Sequence, residues 1–306
     1  EIVLKDKSSL LRLLFKNSKA KLGFSILSFF IFISLFAPFL VGSPTDYVGV
    51  PLQPPNFEFW FGTNGQGQDV LAQTVYGGRK TLFIAFITGI FVVMTGSIFG
   101  GIAGYFQGYI DDFISLLINV FLLLPGLPLM VVLAAFLPLG SMAIIFVLVF
   151  SGWSWHARVL RSQVLSLSKQ DFVMASKVSG ESHFRIITIE ILPRMLSLLT
   201  SSFIGATIYA IGAQVGLEFL GLGDISQISW GINLYWATND LALLTGSWWT
   251  FVPTGLAIAL VSLSLTLINF SIDEISNPKL VSERYLYEKL GKKYNRNSIT
   301  PVMTNK

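Results

Sequence analysis

Long apolar runs alternate with short polar segments along most of the chain. About twenty apolar residues are enough to cross the hydrocarbon core of a membrane, so each run predicts a transmembrane helix. The predicted spans are residues 22–41, 81–105, 113–137, 141–155, 195–217 and 248–272. Pro125 and Pro128 interrupt the third span and predict a kink there. The pattern therefore predicts an all-α integral membrane protein with six transmembrane helices.

The first apolar run, 22–41, has two interpretations. A cleavable signal peptide is one, because basic residues precede the run within the segment 1–21. The run is longer than a usual signal-peptide core, and no A-x-A-like cleavage site follows it. We therefore expect a retained first helix, followed by a non-membrane loop over residues 42–80.

One polar stretch, 168–193, separates the fourth and fifth predicted spans. Ser168 and Asp171 predict a helix start, because their side chains can accept hydrogen bonds from the free amides of a first turn. Gly180 predicts the helix end, since glycine adopts the left-handed conformation without a steric penalty. A second short helix is expected from Ser182 to Pro193, which cannot extend it.

The faces of this predicted hairpin differ in size and polarity. The second helix carries an apolar stripe of Phe184, Ile187 and Ile191. One face of the first helix holds only small residues: Ala175, Ser176, Ser179 and Gly180. The hairpin is interpreted either as a docking element for another protein or as a surface cover for neighbouring helix ends, and periodicity alone leaves both open.

Composition places the chain in a bilayer. Of its 306 residues, 53% are hydrophobic and only 12% are charged, which is too apolar for a soluble domain of this size. The absence of cysteine excludes disulfides and thiolate metal sites. The net charge of +4 does not indicate nucleic-acid binding, because the basic residues flank the apolar runs instead of forming one patch.

The distribution of lysine and arginine predicts the orientation in the membrane. Six lie in 1–21, six in 156–194 and seven after residue 272, against two in 42–80 and none in 218–247. Because cytoplasmic segments are enriched in these residues, both termini and the polar stretch are expected in the cytoplasm. The predicted division is a tail 1–21, a helix 22–41, an extracytoplasmic loop 42–80, a core 81–272 containing a coupling loop 157–194, and a cytoplasmic tail 273–306.

Three glycines recur at intervals of four in the second span. Gly96, Gly100 and Gly104 predict a groove in which a neighbouring helix approaches closely. We favour this packing role over a hinge.

The chain lacks the motifs of an energy-converting or catalytic protein. Arg79 precedes Lys80 where a phosphate-binding loop requires glycine, and neither His156 nor His183 has a partner at metal-ligand spacing. The predicted spans hold no ionisable residue well inside, which disfavours a secondary carrier or a charged-pore channel. A pathway without its own energy source indicates a non-enzymatic subunit driven by a separate motor.

Several ordered motifs over residues 22–280 resemble the permease subunits of binding-protein-dependent ABC importers, in the dipeptide, oligopeptide and nickel group. The motifs are FGTNGQGQDVL at 61–71, GGIAGYFQGYIDD at 100–112, LPG at 124–126, FLGLG at 219–223 and SWG at 229–231. The stretch 168–193 is similar to the cytoplasmic EAA loop of that family. Its family-type or docking positions are Asp171, Ala175, Gly180, Phe184, Ile191 and Pro193.

The resemblance implies partners and a cargo class. It implies a second permease subunit, two cytoplasmic ATPase subunits that bind ATP and magnesium, and an extracytoplasmic solute-binding protein, in a prokaryotic cell membrane. The chain itself would hold no cofactor or metal and bind no nucleic acid. Peptides are the implied cargo, with oligosaccharides or nickel as alternatives; a stand-alone channel or carrier is the alternative class.

The chain also departs from the family pattern. Met174 replaces the glutamate of the EAA loop, while Asn64 and Gln68 replace an Asp and an Arg in the G-T-D-x-x-G-R-D segment. In the third span, Leu116 and Asn119 stand in place of the usual Arg and Asp. Loss of both members of a charged pair leaves no stranded charge, so the fold is expected to tolerate these changes.

Overall fold

The computed structural model describes residues 17–276, and these residues form a helical bundle with one isolated β-bridge between Thr63 and Asp69. In chain order the α-helices are α1 (Ser18–Leu35), α2 (Ala37–Leu40), α3 (Val70–Phe106), α4 (Gly108–Leu123), α5 (Gly126–Phe136), α6 (Ser141–Leu167), α7 (Asp171–Val178), α8 (His183–Arg185), α9 (Leu196–Phe219), α10 (Trp230–Asn239), α11 (Ala242–Thr245) and α12 (Val252–Ser276). The predicted all-α membrane fold is confirmed.

Five helical segments in the described range are long and apolar enough to cross a membrane. The remaining predicted span, the third, corresponds to the pair α4 and α5, which are bent by 91° at the break around Leu124 and Pro125. The bend agrees with the predicted kink and follows from the missing amide hydrogen of proline. The predicted tails fall largely in residues 1–16 and 277–306, outside the described residues, so the orientation stays a prediction.

Helix α3 lies at the centre of the bundle and makes its most extensive contacts with α6 and α9. It begins at Val70, inside the segment that the sequence assigned to a loop, and Asp69 caps it by accepting the Leu71 amide at 2.9 Å. Its first turns are buried because α10 covers them: the indole of Trp230 donates to the Thr74 carbonyl at 2.9 Å. Apolarity alone did not reveal this extension.

Helix α6 also extends further than predicted, to Leu167, and packs along the glycine groove of α3. A Cβ placed on Gly96 would lie 2.9 Å from the His156 Cβ, and one on Gly100 would lie 2.6 Å from the Ala157 carbonyl oxygen. A Cβ on Gly104 would lie 2.6 Å from the carbonyl oxygen of Arg161. The two backbones are therefore in near contact over about two helical turns, from Gly96 to Gly104.

A polar link joins α4 to α6. Arg161 donates to both carboxylate oxygens of Asp111, with Nη2 to Oδ2 at 2.6 Å. Asp111 is therefore held by an arginine that lies 50 residues away in the sequence. Arg158 likewise donates to Asn119 at 2.6 Å, so a second polar contact joins α4 to α6.

Candidate functional site

Two ends of the bundle carry the polar segments. We call the end that holds residues 168–195 the hairpin end, and the end that holds residues 42–69 and 220–250 the loop end. The first contains the predicted docking element, and the second contains most of the predicted extracytoplasmic loop 42–80.

The hairpin begins one turn later than predicted. Ser168 is the C-cap of α6, and its hydroxyl donates to the Leu165 carbonyl at 3.0 Å instead of starting a new helix. Helix α7 therefore starts at Asp171. It ends before Gly180, whose φ of +78° is the left-handed conformation expected of a glycine stop.

The second helix of the hairpin starts at Ser182 as predicted, but it does not end at Pro193. Ser182 caps α8 by accepting the Arg185 amide at 3.4 Å. The chain then continues as a π-helical turn, Ile186–Ile191, and a 3₁₀ turn, Leu192–Met195, directly into α9. The prediction that Pro193 ends the helix is wrong: Pro193 lies in the first turn of the 3₁₀ segment, where a missing amide hydrogen costs little.

The inner face of the hairpin is packed against the ends of α3 and α6. Its buried apolar cluster consists of Tyr105, Leu160, Val164, Leu167, Val173, Ile186, Ile191 and Met195. Ile191, one of the predicted docking positions, is fully buried in this cluster. It anchors the hairpin and does not face outward.

Polar and aromatic contacts add to this anchor. The Tyr105 hydroxyl and His183 Nδ1 lie 2.9 Å apart, and the Lys177 ammonium lies 4.7 Å from the Tyr105 ring centre. On the other side, the guanidinium of Arg194 stacks over Phe172 at 3.4 Å from the ring centre. The sequence gives no signal for these contacts, since Tyr105 and His183 are 78 residues apart.

The outer face of the hairpin is exposed and partly apolar. Val178 is 89% exposed, Phe184 is 78% exposed and Met174 is 57% exposed. The predicted positions Asp171, Ala175, Gly180 and Pro193 are also exposed. The outer face of an otherwise polar hairpin therefore exposes three large apolar side chains.

A pair of side-chain amides and one carboxylate form hydrogen bonds at the loop end. Asn64 donates to Gln68 at 3.0 Å, so these two residues contact each other directly. Asp240 accepts the Gly65 amide at 3.0 Å and ties segment 42–69 to the end of α10. Burial raises the pKa of Asp240 above its usual range, although these hydrogen bonds act in the opposite direction.

Within residues 17–276, no group of three His, Cys, Asp or Glu side chains lies close enough together to hold a metal ion. The expectation that the chain holds no cofactor or metal stays a prediction.

Residues 96–282 match the family described as binding-protein-dependent transport system inner membrane component, which is more than half of the chain. The chain belongs to this family. The match includes the hairpin, both of its anchoring helix ends and the bent pair α4 and α5.

Two curated relatives of this permease come from Bacillus subtilis (strain 168). Dipeptide transport system permease protein DppC is 34% identical over 275 residues, covering 88% of this chain and 84% of the relative. Oligopeptide transport system permease protein OppC is 30% identical over 281 residues, covering 90% of each. OppC of Lactococcus lactis subsp. cremoris (strain SK11) is 27% identical over 261 residues, covering 83% of this chain and 88% of the relative.

Family membership sets the location and general role of this permease. It is a multi-pass component of a bacterial inner membrane, in agreement with its apolar spans. It acts in a transport system that depends on a binding protein and that includes an ATPase.

Proposed function

We propose that this permease is one of two transmembrane subunits of an ATP-driven importer for dipeptides and oligopeptides, each subunit forming half of the pathway. Two ATPase subunits bind ATP and magnesium and perform the hydrolysis, while this chain is non-catalytic and holds no cofactor. A solute-binding protein delivers the cargo at the loop end, which faces outward.

One observation carries the coupling role: the hairpin is buried on its inner face, whereas its outer face exposes apolar side chains. A coupling element must transmit movement, so it needs a rigid attachment to the spans. The buried cluster around Val173 and Ile186 provides that attachment to α3 and α6. The exposed patch of Val178, Phe184 and Met174 provides a surface for an ATPase.

The position of Met174 suggests how contact is made without the family glutamate. Met174 and Val178 are four residues apart and therefore share a face of α7. An ATPase surface that fits this face would bury apolar area instead of pairing with a carboxylate. Methionine suits such contacts because its flexible side chain adapts to an irregular surface.

Cargo is inferred from the relatives. DppC and OppC are named for dipeptide and oligopeptide transport, and the match to each extends over most of both chains. The alternative cargoes, oligosaccharides and nickel, would be imported by a transporter of the same architecture. Uptake measurements distinguish them from peptides directly. Competition between labelled dipeptide, oligosaccharide and Ni²⁺ in cells that carry the complete transporter separates the three; uptake without the ATPases would instead indicate a stand-alone carrier.

Gly180 offers a matched pair of variants for the coupling role. A Cβ at Gly180 meets nothing within 4 Å, but its φ of +78° strains any other residue. Gly180→Ala introduces this strain with little bulk, whereas Gly180→Trp adds a large ring on the outer face.

We expect Gly180→Trp to abolish peptide-stimulated ATP hydrolysis by the reconstituted complex while the two permeases still assemble. Gly180→Ala should retain most of the stimulation, since it leaves the docking surface open. The readout is ATP turnover with and without peptide-loaded binding protein. Unchanged stimulation in Gly180→Trp would refute docking at the hairpin.

A further inference from the structure

A cavity of about 830 Å³ lies at the loop end between α1, the first half of α3 and residues 226–228. Its apolar walls come from Ile31, Leu35, Leu82, Phe83 and Phe86. Tyr76, Arg79 and Lys80 line it on the side nearer the loop end. No residue of the coupling hairpin or of the α3–α6 glycine groove lines this cavity.

The arrangement along α3 matches the depth profile of a bilayer. Arg79 and Lys80 are the only charged residues of the helix, and an uncharged stretch, 81–106, follows them directly. Phe86 lies seven residues further along, or about 10 Å deeper at the rise of an α-helix. The two cations therefore lie at headgroup level, and the apolar walls lie at the level of acyl chains.

Arg79 is the cation without a counter-charge. The carboxylates of Glu218 and Asp224 attract Lys80, and Glu218 is fully buried behind Ser229 and Gln214. Arg79 is exposed and forms no hydrogen bond or ion pair with any other residue in the described part of the chain. One positive charge thus faces the cavity unneutralised.

A second polar group in the wall has no partner. Ser34 is 3% exposed, lines the cavity and has a hydroxyl oxygen with no hydrogen bond. That oxygen points at Gly78 of α3, so Ser34 helps to close the wall between α1 and α3, and Arg79 is the polar group that is open to a ligand.

We propose that this cavity binds one anionic phospholipid, with the phosphate at Arg79 and an acyl chain along Phe83 and Leu35. Phe83 and Leu35 are 56% and 58% exposed, as expected of side chains that contact lipid. A zwitterionic peptide fits less well, because no free carboxylate lines the cavity to hold its amino end: Asp224 is engaged by Ser226 at 2.6 Å and Glu218 is buried.

The test is native mass spectrometry of the full transporter in detergent with phosphatidylglycerol or with phosphatidylcholine of the same acyl chains. We expect the parent to retain one phosphatidylglycerol in preference, and Arg79→Gln to weaken that preference by about fivefold, the effect of one cation near a phosphate. Arg79→Lys should keep it. Lys80→Gln should weaken it less, because two carboxylates already oppose that charge.

Two further variants complete the design. Leu35→Trp fills the acyl part of the cavity without changing charge and should also reduce retention. Arg185→Gln removes an exposed cation at the hairpin end and should change nothing. Equal retention of the two lipids by the parent, or equal loss in Arg79→Gln and Arg185→Gln, would overturn the proposal. Displacement of the lipid by a free dipeptide in the parent but not in Arg79→Gln would assign the cavity to cargo instead.

Discussion

Single glycines determine how closely α3 and α6 approach. Gly100 and Gly101 are adjacent, yet a Cβ on Gly100 would lie 2.6 Å from a backbone oxygen, while one on Gly101 would meet only the Ile187 Cγ2 at 3.9 Å. These neighbours therefore separate the packing effect of a methyl group from its effect on helix propensity.

Gly100→Ala should lower stability by about 1–3 kcal/mol, because the helices must separate to admit the methyl group. Gly101→Ala should be neutral or stabilising by up to about 1 kcal/mol, since alanine favours the helix. Thermal unfolding of the two variants in the same detergent measures the difference. Equal effects would show that the groove is not tightly packed.

The Asp240 carboxylate makes the loop end sensitive to pH. Because burial raises its pKa, the folded protein holds a proton more tightly than the unfolded chain does. This contribution to stability is complete below the unfolded pKa of about 3.9 and is lost as pH rises through the higher folded value.

Asp240→Asn should remove this pH dependence while keeping an acceptor for the Gly65 amide. Relative to Asp240→Asn, the parent should lose stability as pH rises from about 4 through the raised pKa of Asp240, as followed by thermal unfolding. A parent that instead gains relative stability over this range would show that the hydrogen bonds outweigh the burial.

The hairpin behaves as one element with two different faces. Its helices, its glycine stop and the Ser182 cap follow from local sequence, and the structure places them within a turn of prediction. Its anchoring contacts do not follow from local sequence, because Tyr105, Val164 and Val173 come from three helices. The helical path continues through Pro193 because this proline lies in the first turn of the 3₁₀ segment, where no amide hydrogen is required.

Tyr105→Phe tests the rigidity of this anchor. The variant keeps the ring under Lys177 but removes the contact between the hydroxyl and His183. Loss of a hydrogen bond of about 1 kcal/mol should speed amide exchange in residues 183–191 by about fivefold, without affecting the middle of α3. Exchange that is unchanged in the hairpin would mean that the apolar cluster alone holds it.

At the scale of the whole molecule, hydropathy predicted the spans well because lipid requires long apolar helices. Hydropathy did not predict the helix ends that are covered by other parts of the protein and not by lipid. The first turns of α3 are hidden under α10, and the end of α6 is hidden under the hairpin, so both helices run beyond their apolar runs. The Arg79 cavity was missed for a related reason, since it forms between segments far apart in sequence.

We propose that the outer face of the hairpin docks on an ATPase in the cytoplasm, and the sequence allows a direct test. The chain has no cysteine, so single cysteines can be introduced without background. Val178 is 89% exposed at the hairpin end, and Phe57 is fully exposed at the loop end, which makes them a matched pair.

The most direct measurement is cysteine cross-linking of the assembled transporter, combined with labelling of intact cells by a membrane-impermeant maleimide. Val178→Cys should cross-link to an ATPase subunit and resist labelling from outside, whereas Phe57→Cys should be labelled from outside and give no ATPase cross-link. Labelling of Val178→Cys from outside, or an ATPase cross-link only from Phe57→Cys, would contradict the proposed docking.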